Sequence, residues 1–243
     1  MKIRVLVKAA GASENVAETQ EEVRVPSTLS LLQPPKPVGM AEALPRTPAS
    51  HDALKAAARL RLALGPSGSL VAVTGIGDDD GSTLLTARLG AALAALDNSM
   101  VLLVDGAGHR PGLPGVFSTP RIPGLLDLLE GRADLKLAVR ALDPPNLFVL
   151  PVGEGSRSLA SLLTSPKCLE IMSQIRQQYR YVIIDVGVMH EGADGVLLAS
   201  MCDGVVAALA AGARRRWEVV DFRQELERMK IPLLGVVLTK GAS

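Results

Sequence analysis

The chain has 243 residues, 48% apolar and 21% charged, enough length and apolar content for one large domain with a buried core. Its 26 Lys and Arg stand against 25 Asp and Glu, which excludes a nucleic-acid binder working through a bulk basic field. No apolar run approaches the roughly 20 residues that span a bilayer, and 2 Cys, 1 Trp, 2 Tyr and 3 Phe exclude a disulfide or zinc scaffold and an aromatic platform for single strands.

Residues 1–7 (MKIRVLV) read as a short strand, and Lys8 cuts the apolar stretch too early for a secretory signal. The next forty or so residues are rich in Ser, Glu and Pro, with Pro26, Pro35, Pro37, Pro45 and Pro48. They cannot bury enough surface to order themselves, so residues 1–50 read as a flexible, disordered tail or linker before a domain over 51–243. Residues 52–64 predict an Ala- and Leu-rich helix, stopped by Gly65-Pro66-Ser67-Gly68. From Ser69 the pattern turns to α/β. Short runs of β-formers at 69–74, 101–104, 147–152, 181–184, 204–209 and 233–238 alternate with helical stretches at 82–96, 124–130, 135–141, 158–163, 167–179, 194–201 and 214–230. Near-continuous apolar strands alternating with helices predict a mostly parallel central sheet with helices on both faces. The two cysteines, Cys168 and Cys202, read as small buried apolar residues of a reduced, cytoplasmic protein.

In such sheets ligands sit beyond the carboxyl ends of the strands, and three features converge there. The first is the loop after the strand at 69–74, Gly75-Ile76-Gly77-Asp78-Asp79-Asp80-Gly81-Ser82-Thr83. A strand-to-helix loop of this length is where a phosphate-binding loop lies. Such loops need glycines so that backbone N–H groups close around phosphate, a lysine to neutralise it, and Ser or Thr to hold Mg²⁺. Ser82 and Thr83 are in place, but Gly81 stands where the lysine belongs and Asp80 where the preceding glycine belongs. The other two features are Asp105, ending VLLVD, and Asp185, ending YVIID. Acidic residues at two buried strand tips are how nucleotide hydrolases supply a magnesium site and a water-positioning carboxylate.

On these residues the chain resembles the cytoplasmic domain of the bacterial tyrosine autokinases that control capsule and exopolysaccharide export, within the deviant-Walker P-loop ATPases that include ParA- and Min-type proteins. VLLVDGAGHRPGLPGVF (101–117) is similar to the second Walker segment, and GLLDLLEGRADLKLAV (124–139) to the region after it. LFVLPVGEG with SLLTSPK, YRYVIIDVGV (179–188), and CDGVVAALAAG with LLGVVLTK resemble the remaining strands. The resemblance covers about 52–239 and implies a P-loop NTPase-like fold. It also implies Mg-ATP or Mg-ADP as cofactor if binding is retained, with Gly75, Gly77, Gly81, Ser82 and Thr83 on the nucleotide and Thr83, Asp105 and Asp185 on the metal. The partner it implies is the cytoplasmic segment of a polysaccharide co-polymerase at the inner membrane, with self-association into rings and no nucleic acid.

The chain departs from that pattern where the chemistry lies. The related loops read Gly-Glu-Gly-Lys-Ser-Thr, against Asp78-Asp79-Asp80-Gly81-Ser82-Thr83 here. The second Walker segment keeps Asp105 but has Ala107 at its second acidic place, and His109 and Arg110 match only in part. There is no tyrosine-rich stretch after the last strand, and the ring-forming helix motif survives only as Asp52 and Lys55. Loss of the lysine removes the main charge facing the phosphates, and each added like-charge pair costs on the order of 4 kcal/mol before screening. The expectation is therefore a catalytically degenerate relative, a pseudokinase without cofactor, acting by binding at the inner membrane face. An active divergent ATPase or kinase is the alternative, and a ParA- or Min-like positioning ATPase the second. Besides the plain reading of Asp78, Asp79 and Asp80 as a solvated loop, two readings of the acidic triplet stand open. In one, Asp80 caps the helix starting at Ser82 while Asp78 or Asp79 folds into the phosphate place. In the other, Asp78, Asp79 and Asp80 hold a Mg²⁺ that bridges to phosphate. Arg214, Arg215 and Arg216 read as a solvated face or a contact for a partner or anionic lipid. Trp217, Val220, Leu226 and Met229 read as core, and His109 and His190 as lone histidines without a metal cluster.

Overall fold

The structure is a computed structural model, and it describes residues 50–65, 69–108 and 110–239. The strand predicted at 1–7, the tail up to residue 49 and His109 lie outside them. Seven strands form one sheet in the order β3-β4-β2-β5-β1-β6-β7. They are β1 (Ser69–Gly75), β2 (Val101–Asp105), β3 (Arg140–Ala141), β4 (Leu147–Leu150), β5 (Tyr181–Val188), β6 (Gly204–Ala210) and β7 (Leu233–Thr239). All pair in parallel except β3, a two-residue strand that runs antiparallel on the edge beside β4.

The side-chain alternation of each strand divides the core into two layers. Leu70 and Ala72 of β1, Leu102 and Val104 of β2, and Val182 and Ile184 of β5 point to one face. There α4 (Leu125–Leu129), α6 (Leu159–Leu163), α7 (Pro166–Gln178), α8 (Ala193–Ser200) and α9 (Arg216–Arg228) cover them. Val71, Val73, Val101, Leu103, Tyr181 and Ile183 point to the other, under α1 (His51–Leu64), α2 (Ser82–Asp97) and α3 (Leu113–Phe117). Burial on both faces is why these strands carry no polar positions to mark their period. One short helix, α5 (Leu135–Ala138), completes the helical set with a 3₁₀ turn at Met189–Glu191.

Two expectations are corrected. The helix predicted over 135–141 ends at Ala138 because Arg140 and Ala141 pair with Val149 and Phe148 as β3. On α9 the core face is Phe222 and Leu226, 4% and 1% exposed, whereas Trp217 and Val220 are 58% and 43% exposed. The helix turns Phe222 inward and leaves Trp217 outside.

Candidate functional site: a self-completed loop at the carboxyl edge of the sheet

The predicted loop joins β1 to α2 at the carboxyl edge of the sheet. Strand order places β5 on one side of β1 and β6 on the other, so residues from distant parts of the sequence meet above it. Thr74, at the end of β1, is buried and accepts a hydrogen bond from Met189 N–H at 3.0 Å. It fastens the chain after β5 to the base of the loop.

The three consecutive aspartates part company. Asp78 and Asp79 turn outward. The Asp78 carboxylate pairs with the Arg110 guanidinium at 2.8 Å, both exposed, and Asp79 sits at φ +60°. Neither fills the phosphate place, as one sequence reading expected. Asp80 turns inward and is 1% exposed. Its Oδ2 accepts from Gly77 N–H at 2.8 Å and from Arg214 Nε at 3.3 Å, and its Oδ1 accepts from Ala210 N–H at 3.0 Å. Its backbone carbonyl accepts from the Thr239 hydroxyl at 2.8 Å. A carboxylate leaves water at a cost of several kcal/mol unless a cation and donors replace the solvent, and here Arg214 and two backbone N–H groups do so. The side chain thereby stitches the loop to the end of β6 and to the turn before α9, and the backbone carbonyl ties it to the end of β7.

This corrects two expectations. Asp80 does not cap α2. The N-cap is Gly81 at φ +79°, with no side-chain hydrogen bond, because the Asp80 carboxylate is drawn to donors on β6 and in the loop. Arg214 is not part of a solvated face. Its guanidinium lies over Gly77, so close that a Cβ there would meet Arg214 Cζ at 2.3 Å, and it also donates to the Asp78 carbonyl. Residues 80 and 214 are far apart in sequence, and only the β1–β6 pairing brings them together.

Beside the loop stand the two strand-tip carboxylates. Asp105 and Asp185 are opposite each other in the β2–β5 register, and both are fully buried. Asp105 accepts from Ala107 N–H at 3.3 Å and Leu113 N–H at 3.1 Å. Burial first, and the neighbouring Asp185 second, push its carboxyl up to about 7 against these N–H donors. Burial raises Asp185 too, opposed by the Thr83 hydroxyl, Gly187 N–H and the Ser82 hydroxyl. Its Oδ1 is held by Gly187 N–H at 3.1 Å. Neither hydroxyl completes Oδ2, which has no hydrogen-bond partner among the described residues.

The group this fold implies is a magnesium nucleotide, and its two halves fare differently. Paired carboxylates with raised pKa, one oxygen orphaned and two hydroxyls close by, have the chemistry of a divalent-cation site. The phosphate half does not fit. Position 81 holds no cation, and its left-handed backbone favours glycine over the lysine of the related loops. The Gly77 N–H already serves a carboxylate, and Arg214 covers it. No group of three or more His, Cys, Asp or Glu that could hold a metal occurs among the described residues.

No family model matches the chain. A tyrosine-protein kinase CpsD from Streptococcus agalactiae is 28% identical over 177 residues, 72% of this chain and 77% of that one. The succinoglycan biosynthesis transport protein ExoP of Rhizobium meliloti is 25% identical over 179 residues, 72% of this chain and 23% of its own length. The kinase domain of the Escherichia coli tyrosine kinase ETK superposes with a TM-score of 0.69 at 21% identity, covering 78% of this chain and 77% of that one. In sequence the chain is similar to bacterial tyrosine-protein kinases and to a succinoglycan biosynthesis transport protein, and it shares the fold of a bacterial tyrosine kinase domain.

Proposed function

We propose that this protein is a catalytically silent relative of those kinases, working in exopolysaccharide or capsule assembly by binding and not by phosphotransfer. Its partner is the cytoplasmic segment of a membrane polysaccharide co-polymerase, and it is held at the inner membrane face by that contact. None of the described helices is long and apolar enough to cross a membrane. The observation that carries the reading is the buried Asp80 carboxylate, which takes a loop N–H and the Arg214 cation at the loop's inner side. A loop that holds its own anion and counter-cation keeps its shape without a nucleotide, and a triphosphate entering it would meet a carboxylate in low dielectric.

The retained Asp105 and Asp185 are also what a working ATPase or kinase of this fold would keep, so the test must separate the two. Immobilised cytoplasmic segments of co-polymerases are offered the protein with and without Mg-ATP. The proposal predicts capture with an affinity that changes by less than about twofold on adding nucleotide, since equal affinity for both states shifts nothing. Capture that requires Mg-ATP would contradict nucleotide independence, and no capture by any such segment would remove the partner.

A further inference from the structure

Beside the loop, on the α9 side, lies an open cleft of about 530 Å³, within the size range of ligand sites. The turn at His190 and Glu191 walls it on one side and α9 on the other. Glu218, Asp221 and Glu225 line the α9 side, and Trp217 stands at the rim, 58% exposed. Asp221, Glu225 and Glu191 make no ion pair with any described residue. Of the two arginines on the lining, Arg214 pairs with Asp80 and with Glu218, which leaves Arg228 to face Glu191, Asp221 and Glu225. A large aromatic exposed beside unpaired carboxylates is a surface shaped for cationic side chains that also carry apolar stems.

The chain itself holds a matching segment. MKIRVLVK, residues 1–8, carries Lys2, Arg4 and Lys8 on alternate positions and Ile3, Val5 and Val7 on the others, with no acidic residue. In an extended conformation the cations would share one side with Leu6, about 7 Å from Lys2 to Arg4 and about 13 Å from Arg4 to Lys8. Along α9, Glu218, Asp221 and Glu225 are spaced by roughly 4.5 and 6 Å of helix rise. α1 ends at Leu64, a few residues before β1, and the carbonyl of Gly65 accepts from Arg180, just before β5 begins. Ser50, at the other end of α1, therefore lies toward the carboxyl edge of the sheet, on the face opposite α9, so the segment before it has to pass over that edge to reach the cleft. The 41 residues between Lys8 and Ser50 are a length of chain ample to span the domain.

We propose that residues 1–8 dock in this cleft, their cations against Glu191, Glu218, Asp221 and Glu225 and their apolar side chains against Trp217. Trp217 is the only tryptophan of the chain, so its fluorescence reads the cleft directly in the full-length protein. Three substitutions, Lys2→Glu, Arg4→Glu and Lys8→Glu, should raise the acrylamide quenching constant of Trp217 by about twofold, and strong salt should do the same to the parent. Adding Asp221→Lys and Glu225→Lys to that variant should return quenching toward the parent value, which a nonspecific loss of structure would not do. Equal quenching in the parent and the triple variant overturns the proposal. If added MKIRVLVK peptide nevertheless protects Trp217 in both, the cleft takes basic segments of other chains and intramolecular docking is wrong. If it protects neither, the cleft takes no basic segment.

Discussion

Asp80→Asn changes one atom of a buried side chain and tests the self-completed loop at its centre. The carboxylate meets three donors: Gly77 N–H, Ala210 N–H and Arg214 Nε. The amide keeps the size but loses the charge, and it brings two donors of its own into a place that supplies only donors. Breaking a buried charge pair by removing one partner costs about 3–5 kcal/mol. Arg214 is 22% exposed at its side chain, keeps the Asp78 carbonyl, and has Glu218 at 4.0 Å, which places the loss at the low end, about 3 kcal/mol. For a domain of this size that is a fall in Tm of about 6–12 °C. Urea unfolding followed by far-UV circular dichroism gives the difference, and a cycle with Arg214→Ala should return a coupling of about 1 kcal/mol or more. Asp80→Gly, which installs the residue of the related kinase loops, should destabilise too. Stability within about 0.5 kcal/mol of the parent for Asp80→Asn, with additive effects in the cycle, would refute the argument.

Other consequences rest on the same geometry. Asp105 binds its proton more tightly folded, at about 7 against an ordinary value of 3.8, so its contribution to stability is full below about pH 4, is lost as pH rises to about 7, and levels off above. At about 1.4 kcal/mol per unit this is a loss of up to about 4 kcal/mol, and Asp105→Asn should flatten the fall of Tm between pH 4 and 7 even if its absolute Tm shifts. Gly124→Ala should cost about 3 kcal/mol in chemical denaturation, because its Cβ would meet Gly153 N at 2.3 Å and Pro151 O at 2.4 Å, both backbone atoms that cannot step aside. Arg110→Ala removes only the exposed pair with Asp78 and should change stability by less than about 0.5 kcal/mol.

The strands and long helices were legible because their signals are local. VLLVD and YVIID announce themselves as buried strands, and Ser82 and Asp185 could be set at the carboxyl edge from chain order alone. The two-residue β3 had no such signal, since Arg140 and Ala141 are strand only by pairing with β4, and α3 hides in a Gly- and Pro-rich stretch. Trp217 reads as core only with Val220, three residues on; Leu226, nine residues on, lies on the opposite side of the helix, where Phe222, four residues before it, holds the inner face. At the site, the missing lysine and the acidic triplet were visible as departures from the related loops. Which aspartate would turn inward was not, because its partners Ala210 and Arg214 come from the far side of the sheet. The cation next to Asp80 reads in sequence as one of three consecutive arginines, with nothing local to single it out.

The most direct test of the central claim is a calorimetric titration of Mg-ATP into the full-length protein near pH 7.5. A loop that carries its own carboxylate and guanidinium predicts no saturable heat at nucleotide concentrations up to about 1 mM, a binding free energy weaker than about −4 kcal/mol. A micromolar dissociation constant that Ser82→Ala or Thr83→Ala abolishes would contradict the account.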